Sequence, residues 1–428
     1  MRPSLLVFLF ALGCGAAAAL PLGRMPDLQP PQPPAGADSP AGVAYREGLE
    51  RFAAGDLAAA EQAFRQAAEL KHVHALLGLA EIAFRRGQKQ EGGRWLQQAL
   101  RQAPADAHVQ ASVGRWQASQ GHYAEAERAL KRAIELDGRL VRPRMDLADL
   151  YATALRRPQE AVALYQRVLE LDPGHAGAHY ALGVTRLKLG QVEAARAALE
   201  QAVRLAPDNP LPLLALAQAA QVQGKTQEAL QRVDQALKRH DQWAEALELR
   251  GDLRLAAGQT RAAIDDYRAA VRNEPRRAGA WIKLGMAQQV AGEPKAAAQS
   301  YQEAVRLDPQ AAVAYNNLAW LSLQTQGDLG EAETWARKAV GLAPKAAQFH
   351  DTLGWILRAR GQLAEAEKAL ARATALPGVT ADVYYHLGVV RQELGRRPEA
   401  LAAYRQALSL DRNHAQAREA LRQLESGR

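Results

Sequence analysis

The sequence predicts an all-α protein, and three observations carry that expectation. One helical-hairpin pattern recurs eleven times, about 34 residues apart, from Ala41 to His414. The chain is rich in Ala, Leu, Arg, Gln and Glu, which favour helix, and it lacks the alternating Val, Ile and Thr runs of a sheet. Glycine and proline fall at the same two places in most copies, where a helix has to stop. At 428 residues an ordinary globular chain would divide into roughly two or three closed cores. A stack of hairpins escapes that rule, because each copy buries its apolar face only against its neighbours.

The N-terminus reads differently. Arg2 gives a short positive start, Leu5 to Leu12 an apolar run, and Ala16 to Ala19 a small-residue stretch before Pro21. Residues 1–19 therefore look like an export signal. The apolar run is interrupted by Gly13 and Gly15, short of the roughly twenty residues that a membrane-spanning helix needs, so a cleaved signal is expected ahead of an uncleaved anchor. Cys14 is the only cysteine, which excludes an intramolecular disulfide. Its place after Leu9, Phe10, Ala11, Leu12 and Gly13 resembles the lipobox of bacterial lipoproteins, whose cysteine is acylated and becomes the new N-terminus. The match departs from that pattern, which prefers Leu three residues before the cysteine and a smaller residue than Leu12 before the glycine. Two outcomes stay open: lipidation at Cys14, which would hang the chain from a membrane, or loss of Cys14 by cleavage near Ala19. Either way the chain is expected to be exported, periplasmic or outer-membrane-associated, in a Gram-negative-type bacterium.

Residues 20–40 hold seven prolines, including Pro30-Pro31 and Pro33-Pro34, and little that could pack. Such a segment reads as a linker, a semi-rigid spacer of up to about 60 Å at about 3.1 Å per residue. The repeats then start at Ala41, Val73, Ala107, Val141, Ala176, Pro210, Ala244, Ala278, Ala312, Ala347 and Ala381, filling residues 41–414. The first interval is two residues short, and the repeats starting at Val141 and Ala312 carry one extra residue between their helices. Additions at such turns cost little.

Residue size explains the pattern within each repeat. The eighth position is small throughout: Gly48, Gly114, Gly183, Gly251, Gly285, Gly354 and Gly388, with Ala80, Ala148, Ala217 and Ala319 elsewhere. The position that closes the second helix onto the first is Ala in ten repeats, for example Ala60, Ala126 and Ala297, and Gly92 in the other. Bulkier residues such as Phe64, Tyr165, Tyr267, Tyr301 and Tyr404 follow four places later and are expected to fill the gap towards the next repeat. Leu at Gly285 or Ala297 is expected to overpack the array. Gly55, Gly121, Gly190, Gly224, Gly258, Gly292, Gly361 and Gly395 sit where the first helix ends, and Asp172-Pro173, Glu274-Pro275 and Asp308-Pro309 stop the second. In residues 415–428, Ala417, Ala420, Leu421 and Leu424 share a face, as a capping helix and tail would require.

Charge and motif content narrow the function. The formal charge is +8, and removal of residues 1–19 takes away only Arg2. Cations are scattered among acids, with short pairs such as Arg85-Arg86, Arg276-Arg277 and Arg396-Arg397, so a nucleic-acid stripe is not expected. No phosphate loop, His-Glu-x2-His, Gly-x-Ser-x-Gly or paired Cys-x2-Cys motif is present. His72 and His74 are the one candidate metal pair, but no third ligand is evident nearby, and the loop between repeats is a natural place for solvated histidines. The carboxylates are expected mostly on solvated helix faces, paired with Arg. No catalytic residue, metal or cofactor is expected.

The copy that reads Trp281, Leu284, Gly285, Gly292, Ala297, Tyr301, Ala304, Pro309 resembles the tetratricopeptide repeat family, and the resemblance covers about nine tenths of the chain. It implies a right-handed superhelical solenoid whose first helices line a groove, and a scaffold or adaptor rather than an enzyme. The carboxylate-clamp members of that family use Lys and Asn at set groove positions. Here those places hold mixed residues, and Asn316-Asn317 is the only adjacent Asn pair. Asn317 resembles one rung of the Asn ladder of O-GlcNAc transferase, yet Ser112, Ala181, Lys283, Thr352 and His386 take its place elsewhere.

The candidate partner site lies in the last three repeats. Trp320 and Trp355 share the ninth position of adjacent repeats, with Asn316, Asp351, Arg358 and Tyr385 expected on the same wall. Aromatics beside Arg are common makings of a binding hot spot, unless both indoles pack into the repeat interface as Trp281 is expected to. The expected function is a non-catalytic scaffold that holds protein partners within an envelope assembly such as polysaccharide export, pilus biogenesis or secretion. The alternatives are a chaperone-like module for one exported client and a recruiting subunit of an enzyme complex. The partners are expected to be proteins, with no nucleic acid and no membrane contact beyond an N-terminal lipid anchor.

Overall fold

A computed structural model describes residues 39–426. Among them are 23 α-helices, from Pro40–Ala53 to Ala415–Glu425, and no strand. None of these helices is long and apolar enough to cross a membrane. The export signal, Cys14 and nearly all of the proline-rich segment lie outside the described residues. The helices fall into two compact units, one ending at Arg239 and one beginning at His240. Within each unit the first helix of a hairpin packs on its own second helix, and that second helix packs on the first helix of the next hairpin. First helices of successive hairpins also touch, as Ala312–Gln324 touches Ala347–Ala359 and Ala347–Ala359 touches Ala381–Glu393. They therefore share a wall.

Turn chemistry sets the hairpin. Nine turns close on a glycine in the left-handed region, Gly87 among them, with φ between 71° and 81°. In the eighth repeat the Gly292 N–H donates to the Gln289 carbonyl at 3.1 Å and the Glu293 N–H reaches back to the Gln288 carbonyl at 2.8 Å, which satisfies carbonyls the helix end would orphan. The two turns with an extra residue have no glycine at that place. They use Arg156 and Gln326, each at φ 54°, and the shortened first junction uses Lys71 at φ 66°. A side chain in this region is strained by roughly 1 kcal/mol or more.

Small and large residues interlock across each hairpin. The ten alanines of the closing position, Ala60 to Ala400, are all fully buried. The large residues four places on are buried too, but their main neighbour differs from the expectation: they fill their own hairpin. A Cβ built on Gly48 would stand 2.4 Å from the Phe64 ring, one on Gly251 2.7 Å from Tyr267, and one on Gly388 2.5 Å from Tyr404. Phe64 also faces the next repeat, 2.6 Å from a Cβ built on Gly78. The tyrosines then pass right through the hairpin, so that their hydroxyls donate to first-helix side chains: Tyr165 to Asp149 at 2.6 Å, Tyr267 to Asp252 at 2.7 Å, Tyr301 to Gln289 at 3.0 Å and Tyr404 to Gln392 at 2.7 Å.

The Ala415–Glu425 helix covers the last hairpin. Ala417 is fully buried, and Leu424, Ala420 and Leu421 pack on the cluster that holds Ala400 and Tyr404. His414 caps it: Nδ1 accepts the Ala417 N–H at 3.1 Å while Nε2 faces Asp382 Oδ1 at 3.1 Å, a division of roles that fixes the proton on Nε2. Arg397 donates to the Leu424 carbonyl at the far end.

Candidate functional site

Four of the residues singled out in the last repeats come together on the first-helix wall. Trp355 stacks on His386 of the following repeat, with ring centroids 4.0 Å apart and planes at 22°. The Arg358 guanidinium lies 4.5 Å from the Trp355 ring centroid. It also grips Glu393, its Nε donating to the two carboxylate oxygens at 2.9 Å and 3.1 Å. Asp351 pairs with His386 Nδ1 at 2.8 Å. Tyr385 stands beside His386 and faces Tyr404 and His414 at centroid distances of 6.0 Å and 5.3 Å. Burial raises the hydroxyl pKa of Tyr385.

Asn316 and Trp320 sit on the neighbouring first helix, one turn apart, and no hydrogen bond, ion pair or ring contact among the described residues ties them to that group. Asn316 is buried, with its Oδ1 lacking a partner. Trp320 and Trp355 are both half-buried, and neither indole N–H donates to another described residue. Trp281, expected in the repeat interface, is likewise half-buried, and its N–H donates to the Pro275 carbonyl at 2.9 Å.

His386 and Glu393 were not picked out as site residues from the sequence. The signal was there in the spacing. Asp351 to His386 and Arg358 to Glu393 are both separations of 35, one repeat plus one residue, which brings complementary side chains of adjacent first helices side by side.

Other walls carry buried and half-buried charge, exceptions to the mostly solvated acids expected. In the same unit Lys283 Nζ lies 2.8 Å from Asp252 and 3.2 Å from Glu248, and Arg277 Nε lies 2.5 Å from Glu248. Burial dominates at Asp252 and raises its pKa, whereas at Lys283 the paired acids outweigh burial and raise its pKa. In the unit ending at Arg239, Asp146 approaches Arg115 Nε at 3.5 Å and Arg142 at 3.0 Å. Burial pushes the nearby Asp149 carboxyl up to about 6, the Tyr165 hydrogen bond opposing it.

The two histidines between the first repeats are half-buried and engaged by neighbours rather than freely solvated. His72 stacks on the buried Tyr45 ring at 4.2 Å, its Nδ1 buried without a partner, and burial and then His74 lower its pKa. His74 pairs with Asp106 at 2.8 Å and meets His108 edge-on at 5.6 Å. The short junction after Lys71 places His72 where the alternative expectation placed water. Among the described residues no group of three or more His, Cys, Asp or Glu is arranged to hold a metal ion.

Comparison with known proteins accords with this architecture. Tetratricopeptide repeat models match residues 51–115, 152–210 and 186–253, residues 117–175, 249–312 and 282–347, and residues 381–414. Over 202 residues the chain is 27% identical to the cellulose synthase 1 operon protein C of Komagataeibacter xylinus, a stretch that makes up 46% of this chain and 13% of that protein. The chain thus spans a small part of that relative's length. Its fold is similar to a solved structure of the APC/C hetero-tetramer Cut9–Hcn1, with a TM-score of 0.51 at 15% identity, covering 91% of this chain and 97% of that one. A tetratricopeptide repeat protein from Parabacteroides merdae aligns with a TM-score of 0.47 at 22% identity, over 58% of this chain and 98% of that one. With repeat models matching most of its length, the chain belongs to the tetratricopeptide repeat family.

Proposed function

We propose that this chain is a non-catalytic scaffold whose first-helix walls hold segments of partner proteins, and that the wall of the last three repeats is the principal docking place. The repeat family supports the general reading, since such arrays typically serve protein interaction. The observation that carries the specific one is the cluster around Trp355, a half-buried indole whose N–H is unused by described residues, beside Arg358, Tyr385 and His386, with the half-buried Trp320 at the matching position of the neighbouring first helix. Half-exposed aromatics next to a guanidinium make good contact area at low entropic cost.

The scaffold is exported in this reading, by the signal at residues 1–19, and works at the cell envelope with the proline-rich segment as a spacer. Likeness to a protein of a cellulose synthase operon supports polysaccharide export as the process. Acylation at Cys14 would tether it. Two experiments test these parts. Comparative affinity capture from native envelopes with the wild type and a Trp320→Ala/Trp355→Ala variant should lose a defined subset of proteins; identical captures would refute the docking place. Fractionation of a Cys14→Ser variant should move the protein out of the membrane fraction, and unchanged membrane association would refute the lipid tether.

A further inference from the structure

The docking reading leaves open what kind of segment the wall accepts, and its charges decide between classes. The three first helices Ala312–Gln324, Ala347–Ala359 and Ala381–Glu393 hold five ionisable acid and guanidinium groups: Asp351, Arg358, Asp382, Arg391 and Glu393. Arg391 turns away to the second helix of its neighbour, donating to Glu367 at 3.1 Å. Around Trp355 two carboxylates, Asp351 and Glu393, therefore face one guanidinium, Arg358, and the imidazole of His386. By formal charge, with histidine counted neutral as in the +8 of the whole chain, these three helices carry three acids against two guanidiniums.

An acidic segment finds little there. Arg358, the cation beside the aromatics, already has its fork on Glu393, and a carboxylate approaching it would meet Asp351 and Glu393 as like charges. A basic segment finds the opposite. The Trp355 face already accepts a guanidinium, with Arg358 4.5 Å from its centroid, so the geometry for a cation on that ring is built into the fold. Tyr385 is a second half-buried ring one repeat on, with Asp351 held on His386 and Glu393 on Arg358.

We propose that the segment held by this wall is basic and presents an arginine to Trp355, exchanging with Arg358 over the ring and pairing with Asp351 and Glu393. This rests on the reading of the wall as a segment-binding site. Exchange of one guanidinium for another leaves Glu393 paired throughout, and the displaced Arg358, whose side chain is already 32% exposed, passes to water, so docking buries no charge without a partner. A proline-rich or uncharged segment would gain the aromatic contact without the electrostatic one.

The test is selection of a random 12-residue peptide library on the full chain, in parallel on the wild type, Trp355→Leu and Asp351→Asn/Glu393→Gln, with far-ultraviolet circular dichroism confirming that each variant is folded. Peptides retained by the wild type and lost on Trp355→Leu should be enriched in Arg at least about twofold over the library, and a representative peptide should bind about three- to tenfold more weakly to Asp351→Asn/Glu393→Gln. Retained peptides that are acidic, proline-rich or uncharged, or an Arg preference that survives in the double variant, would overturn the basic-partner proposal while leaving segment binding in place. Absence of any Trp355-dependent peptide would overturn both.

Discussion

Gly285 and Tyr301 compete for one volume: a Cβ placed on Gly285 would stand 2.6 Å from the Tyr301 ring, and that ring is fully buried. The same confrontation recurs between first and second helices along the array, with Phe, Leu or Tyr opposite glycine. Where the small residue is Ala217 the opposing residue is Val233, and where it is Ala319 it is Ala336. Ala80 and Ala148 stand opposite large residues, Leu96 and Tyr165, the second of them in a repeat whose turn is one residue longer.

Gly285→Ala should therefore destabilise the protein by about 1–3 kcal/mol, although Ala is the better helix former by about 1 kcal/mol. Adding Tyr301→Val, which reproduces the pair of the sixth repeat, should recover part of that loss. Urea unfolding of the two single variants and the double variant gives the coupling. Purely additive effects would mean that the two residues do not contest the space.

Gly292, seven residues on, is needed for a different reason. Nothing lies within 4 Å of a Cβ built there, but its φ is 75°. Gly292→Ala should cost about 1–2 kcal/mol through backbone strain alone. Because no neighbour is involved, Tyr301→Val should not rescue it, and rescue would refute the assignment.

Much of this was legible in the sequence. Periodicity and residue size are local properties, so the hairpins, the glycine turns and the buried alanines could be expected from spacing alone. The partner of each large residue could not, because Tyr301 reaches Gly285 through three-dimensional packing that a size pattern leaves open. The buried Glu248 and the half-buried Asp149 and Asp252 were hidden for a related reason: they look like any helix-face carboxylate until the tyrosine and lysine that meet them are placed. His72 was misjudged because the shortened junction after Lys71 turns it inward onto Tyr45.

Lys283 should prove a half-buried counter-charge. It bridges Asp252 and Glu248, and removal of its ammonium leaves Asp252 without a cation in a site where burial already raises its pKa. Lys283→Met should cost about 2–4 kcal/mol, and Asp252→Asn added to it should restore a substantial share. Unfolding curves for the pair would contradict the account if the second substitution made matters worse.

Asp149 should give the unit ending at Arg239 a distinct pH dependence. Burial pushes its carboxyl from the ordinary 3.8 up to about 6 in the folded state. Between those values the folded state keeps a proton that the unfolded state has lost, so this group's contribution to stability falls as pH rises from about 4 to about 6. His72 and His108, whose pKa values burial lowers, act in the opposite sense, and they cancel when two variants are compared. Asp149→Asn cannot ionise and should gain on the wild type across that window, by on the order of 1–3 kcal/mol. A difference that stays flat from pH 4 to pH 7 would contradict the assignment.

The seven tryptophans make the central claim directly measurable, since Trp320 and Trp355 mark the proposed wall and Trp95, Trp116, Trp243, Trp281 and Trp335 mark other places. The protein labelled with 5-fluorotryptophan gives one fluorine resonance per indole, assigned by single Trp→Phe variants, and is titrated with a peptide that the chain selects. If the wall of the last three repeats binds partner segments, the Trp355 resonance shifts saturably, with Trp320 following, while the other five hold still. Shifts confined to the other five, or a Trp355 resonance that stays fixed while the peptide binds, would contradict it.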